Sequence, residues 1–173
     1  MNSVLKNISR FVLFLAIQII ILNEVPPLHQ FITPYLYFIF LLWLPFGTKR
    51  ITLTLLGFVT GFTLDLFTNT PGLHAAACSA VGYFRPTLLN LLLAQETSED
   101  FNREPRISSM GWAPYAFYIF SLSFLHHFYL VLLEWLQFGS FGYFLGKVIL
   151  TTLVSILLIF IVELAMNRRK IIR

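Results

Sequence analysis

The chain has 173 residues, of which 57% are hydrophobic and only 12% charged, where a soluble domain carries roughly 25% charge. So apolar a composition excludes a soluble fold, which could not hide that much surface. The net charge of +4 does not point to nucleic acid, because the basic residues stand at the ends of apolar runs, where they set topology.

Residues 149–161 run apolar without alternating, which argues against barrel strands and for helices. The expected fold is a single all-α membrane domain over 1–173, with six transmembrane helices. The first span is expected over about 8–23. Lys6 and Arg10 before 11–22 imitate a signal peptide, but no A-x-A-like site follows, so this span is read as retained. The second is expected over about 30–46, short for a bilayer core, with Pro34 as a possible kink. The third covers about 51–67 and turns through Thr68-Asn69-Thr70-Pro71-Gly72. The fourth covers 72–93. At Arg85-Pro86 it either continues with Arg85 snorkelling or breaks, leaving Arg85 near the headgroups. The second reading is preferred. Residues 95–111 form a polar loop, spans five and six cover about 113–136 and 141–166, and 167–173 form a basic tail. With six spans, Lys6, Arg10, Lys49, Arg50, Arg103, Arg106 and the tail cations all fall on one face, so both termini are expected in the cytoplasm.

Two small-xxx-small stripes stand out, Gly57/Gly61 and Gly142/Gly146, and the fourth span adds Gly72, Ala76, Ser79 and Gly82 near one face. Such stripes let membrane helices approach closely. The expectation is packing of spans three, four and six on one another, the alternative docking of a partner's transmembrane helix. Asp65 extends the first stripe by four residues. By the six-span topology Asp65, Glu134 and Lys147 lie at similar depth, and a charge there needs a partner or water. Lys147 is therefore expected to pair with Asp65, with Glu134 or with both, unless each reaches the outer headgroups separately.

His126 and His127 sit mid-span. Side chains adjacent on a helix diverge by about 100°, which is poor for shared ligation, so hydrogen-bonded packing is favoured over a metal pair. Cys78, the one cysteine, allows no intrachain disulfide or thiolate cluster. No HExxH, GxSxG, P-loop or Cys–His arrangement is present. No enzyme activity, cofactor or metal is expected.

Leu44-Pro45, Lys49-Arg50, Gly57-x-x-x-Gly61-x-x-x-Asp65 and Gly72-x-x-Ala75 form an ordered set, and 44–85 resembles the core of the rod shape-determining MreD family. Glu134 is similar to an acidic residue of that family. The resemblance implies a non-catalytic scaffold of cell elongation in the bacterial inner membrane. Its partners would be an MreC-like bitopic protein and, through it, MreB and the RodA–PBP2 peptidoglycan synthase, besides membrane lipids. It also implies an architecture similar to the substrate-binding (S-component) subunits of energy-coupling-factor transporters. The rival functions are accordingly a small-molecule-binding transporter subunit, with Asp65, His74, Glu134 and Lys147 as candidate ligands, and a proton-coupled carrier using His127 and Glu134.

Overall fold

The computed structural model describes residues 3–24, 32–93, 102–136 and 140–171. Its elements are α1 (Ser3–Ala16), which continues into a π-helical turn (Ile17–Leu22), then α2 (Ile39–Leu42), α3 (Arg50–Thr68), α4 (Leu73–Leu92), α5 (Ile107–Met110), α6 (Trp112–Trp135) and α7 (Phe141–Ile171). Among the described residues there is no strand. Among the described residues four helices are long and apolar enough to cross a membrane: Leu5–Leu22, Arg50–Thr68, Trp112–Trp135 and Phe141–Met166. Parts of the expected second span, polar loop and tail (30–31, 95–101 and 172–173) lie outside the described residues.

α3 and α4 form an antiparallel hairpin. α3 ends where Asn69 enters the left-handed region at φ 54°, its N–H returning to the Asp65 carbonyl. Gly72, at φ 89°, starts α4, a backbone conformation that favours glycine. α4 packs on α6 and α6 on α7, while α1 lies against α2 and α3. Outward, Leu55, Phe58, Val59, Phe62 and Leu66 of α3 and Ile149, Leu153, Leu157 and Ile161 of α7 are exposed. That apolar belt suits lipid and would be an aggregation liability in water.

The second segment departs from expectation. Instead of a helix over 30–46, residues 32–36 are extended and only Ile39–Leu42 make a single helical turn. Residues 35–44 are nevertheless all buried. Pro34 supplies no N–H and disfavours a helical residue before it, and Pro45 closes the segment in the same way. Non-helical backbone survives at membrane depth only where protein buries it and satisfies its polar groups. Here the chain's own helices bury the segment and supply partners to several of its backbone groups.

The fourth helix is also corrected. α4 does not break at Arg85 but runs through Pro86 to Leu92, and Arg85 is fully buried rather than at the headgroups.

Candidate functional site

The unwound segment is held from three sides by polar side chains that a membrane helix would otherwise avoid. From the π-helical turn, buried Gln18 accepts the Leu36 N–H at 2.8 Å through Oε1 and donates from Nε2 to the Pro34 carbonyl at 3.1 Å and to Asn23 Oδ1 at 2.9 Å. From α7, Ser155 Oγ accepts the Tyr35 N–H at 3.1 Å. From α4, Arg85 donates from Nε to the Tyr118 hydroxyl at 2.8 Å and from one terminal nitrogen to the carbonyls of Leu42 and Leu44, while Tyr118 donates to the same Leu42 carbonyl at 2.8 Å. These carbonyls end α2, where a helix leaves its acceptors without intrahelical donors.

On the segment, the Tyr37 hydroxyl lies 2.9 Å from His74 Nδ1, 2.8 Å from His126 Nε2 and 3.5 Å from the Cys78 thiol. A hydroxyl has one proton and two lone pairs. It therefore donates to one imidazole and accepts from the other ring's N–H and from the thiol. The two histidines must present opposite faces of protonation to it. His126 also stacks on Phe38, with centroids 4.4 Å apart, and His127 on Tyr35 at 5.8 Å. The rings of His126 and His127 are inclined at 86°, and His127 Nδ1 turns to Thr152 Oγ1 at 3.2 Å. Ser123, His126 and His127 share one face of α6, and among the described residues Ser123 Oγ, His126 Nδ1 and His127 Nε2 are buried without a hydrogen-bond partner.

Asp65 is tied to the hairpin. Its carboxylate accepts the N–H groups of Gly72 (3.1 Å), His74 (3.0 Å) and Ala75 (3.0 Å) and the Thr70 hydroxyl (3.0 Å). It caps the positive N-terminal end of α4, and that need for donors explains a carboxylate at the end of a glycine stripe. Replacing Asp65 by Ala is expected to lower the unfolding free energy by about 2–3 kcal/mol, since the buried N–H groups of His74 and Ala75 lose their acceptor and the first turn of α4 loses its cap. Asp65→Asn should recover less than half, because its amide nitrogen cannot accept. Thermal unfolding in detergent, followed by reaction of the buried Cys78 thiol, measures both.

Among the expected pairings, Lys147 takes Glu134, leaving Asp65 to its cap. The glycine stripes divide. Gly57, Gly61 and Gly82 lie against the backbone of the other hairpin helix, whereas Gly142 faces open space and Gly146 is half-buried. The expected small face of α4 is rotated. Its buried stripe is Ala75, Cys78, Gly82, Arg85 and Leu89, while Ala76 and Gly72 are exposed. Counting back from Gly82 by 4 and 7 residues reaches Cys78 and Ala75, which stay on one side of a 3.6-residue helix. Ala76 does not.

A second polar cluster, absent from the expected site, closes the basic end of the bundle. Glu104 meets Lys6 and Arg10 at 2.7 Å each and Arg106 at 3.4 Å, and Arg106 reaches Glu163 at 2.6 Å. The Arg106 guanidinium lies 3.5 Å over the Trp43 ring. Trp43 Nε1 donates to Tyr115 at 3.1 Å, which donates to Glu163 at 3.2 Å. The Phe46 N–H bonds the Arg103 carbonyl at 2.9 Å. The basic positions of the first two turns and of the polar loop thus share one end of the molecule. Glu163 was discoverable by the rule that singled out Asp65, a lone carboxylate in an apolar run.

Burial alone would raise the Glu104 carboxyl, but hydrogen bonds and charges from Arg10 and Lys6 outweigh it and hold it at about 2, against an ordinary 4.5. A carboxyl with a depressed folded pKa binds fewer protons when folded than unfolded. Its contribution is complete above 4.5 and is lost as pH falls from there toward 2. Pepsin cleavage within residues 102–110 is expected to accelerate across that window more steeply in the wild type than in Glu104→Gln, whose cleavage should already be fast at its upper end.

Compared with family models, with curated proteins and with solved structures, the chain matches none.

Proposed function

We propose that the chain is a non-catalytic scaffold in the bacterial inner membrane, resembling the MreD family. It would cross six times, five as long helices and once through the unwound segment, with both termini cytoplasmic. It would bind an MreC-like bitopic protein in support of peptidoglycan synthesis during elongation. The observation that carries the reading is how its intramembrane polar groups are used. Gln18, Arg85, Tyr118 and Ser155 hold the chain's own backbone, and Asp65 its own hairpin. Such a body is stiff and presents apolar faces outward. α3 packs on α4 by one side and exposes Leu55, Phe58, Val59 and Phe62 on the other, a ridge suited to one further transmembrane helix. Single cysteines at Phe58 and Phe62, in a Cys78→Ser background, should crosslink to a cysteine-bearing MreC transmembrane helix after co-expression. Equal crosslinking from Ile149 and Leu153 of α7, or none from α3, would sink the assignment of the face. Failure to co-purify with MreC would sink the function.

One observation favours a second reading, a transporter subunit similar in architecture to energy-coupling-factor substrate-binding components. Transporters build midplane sites from interrupted helices, and the unwound segment lies beside three unpartnered polar atoms of α6. Native mass spectrometry of the protein purified from its host would then show a bound small molecule in stoichiometric amount.

A further inference from the structure

The cluster at the basic end does more than join loop to helices, because it encloses space. Two adjoining cavities open there, of about 160 and 350 Å³. Lys6, Glu104, Arg106 and Ser108 line both, Arg10 and Glu163 line the smaller one, and Arg103 lines the larger. Three cations, Lys6, Arg10 and Arg106, meet two carboxylates, Glu104 and Glu163. Among the described residues of the cluster one positive charge is in excess. The donors exceed what the carboxylates take up. An ammonium has three N–H groups and a guanidinium five, and among the described residues Lys6 and Arg10 each give one bond to Glu104. The Lys6 side chain remains 43% exposed, and the exposed Ser108 adds a hydroxyl.

Depth identifies the occupant. The membrane-crossing stretches of α1 and α7 run over Leu5–Leu22 and Phe141–Met166, and the smaller cavity is lined by Lys6 and Met166, one from an end of each. The site therefore lies where the apolar belt stops, level with lipid headgroups. Basic pockets between membrane helices at that depth suit anionic headgroups. We propose that this pocket binds a phosphate group, supplied by an anionic phospholipid, with Lys6, Arg10, Arg106 and Ser108 as its donors. Binding would stabilise the closure of α1, the polar loop and α7, since all three contribute to the cluster. The inference rests on the chain's being a membrane protein and is independent of any partner.

The test is thermal unfolding of the full chain in detergent, followed by reaction of the Cys78 thiol. Phosphatidylglycerol, phosphatidylcholine or inorganic phosphate is titrated in separately. Phosphatidylglycerol is expected to raise the midpoint by about 5 °C or more, saturably, and phosphatidylcholine to leave it in place. Lys6→Gln should lose most of that rise, measured from its own midpoint in neutral lipid, and Lys6→Arg should keep it. An equal rise with phosphatidylcholine, or an undiminished rise in Lys6→Gln, would overturn the site. The full rise with inorganic phosphate alone would support the phosphate pocket and overturn the lipid as its source. Should Lys6→Gln fold poorly, native mass spectrometry of the wild type decides by retention of phosphatidylglycerol over phosphatidylcholine, and no preference overturns the proposal.

Discussion

Replacing Arg85 by Met is expected to lower the unfolding free energy by about 3–5 kcal/mol, among the largest single-residue losses in this molecule. Methionine keeps much of the length and apolar volume of the side chain, so packing changes little. What disappears is the donor fork. The carbonyls of Leu42 and Leu44 and the hydroxyl of Tyr118 all accept from Arg85, and each buried acceptor left bare costs about 1–3 kcal/mol. Arg85→Lys keeps the charge but offers a point donor where a planar fork spans several acceptors, so it should restore less than half. If Arg85 were snorkelling at a headgroup, lysine would serve equally well, and the two variants separate these roles. Tyr118→Phe removes the hydroxyl that shares the Leu42 carbonyl, with an expected loss of about 1–2 kcal/mol. In a double-mutant cycle Arg85→Met and Tyr118→Phe should be non-additive, because they act on one carbonyl. Denaturation in mixed micelles, read by Cys78 accessibility, gives all three values. Additive losses would mean that the two side chains hold separate parts of the structure.

This dependence also explains which parts of the fold were legible in the sequence. A run such as 149–161 is largely apolar, interrupted only by Thr151, Thr152 and Ser155, and with its apolar flanks its length leaves few alternatives to a spanning helix. Residues 35–44 are as apolar as that run, but a short buried segment reads the same whether helical or unwound. Its state is decided by residues remote in sequence: Gln18 before it, Arg85 about two helices later, Ser155 in the last helix. Each was visible as a polar residue in an apolar span, and none announced a backbone as its partner. The only local sign was the pair of prolines at 34 and 45. Asp65 was legible as out of place, though its ligands, the N–H groups of α4, carry no residue-type signature at all. Tyr37 was illegible for a related reason. Aromatic residues are common in this chain, at 17%, and nothing local separates a tyrosine bridging two histidines from one that packs.

The glycine stripes give the sharpest separation between pattern and structure, and the second large expected effect. Gly57-x-x-x-Gly61 and Gly142-x-x-x-Gly146 are the same motif, yet their substitutions should behave oppositely. A Cβ at Gly61 would lie 2.2 Å from the His74 carbonyl oxygen and 2.5 Å from the Ala75 Cα, and one at Gly57 would lie 2.4 Å from the Cys78 carbonyl oxygen. These neighbours are backbone atoms of α4, so no rotamer change relieves the clash and the helices must separate. Separation would also draw the first turn of α4 away from Asp65, whose carboxylate bonds the His74 and Ala75 N–H groups. Overpacking ordinarily costs about 1–3 kcal/mol. With the cap loosened as well, Gly61→Ala is expected to reach about 3–4 kcal/mol. Gly82→Ala, whose Cβ would meet the Leu53 carbonyl oxygen at 2.3 Å, should fall in the same range without the capping share, at about 2–3 kcal/mol. Among the described residues Gly142 meets nothing within 4 Å, so Gly142→Ala should be neutral or stabilising by up to about 1 kcal/mol, the gain of alanine over glycine in a helix. Unfolding of the three single variants in mixed micelles measures the contrast. A loss at Gly142 as large as that at Gly61 would show that the second stripe is also closely packed, against a surface outside this chain.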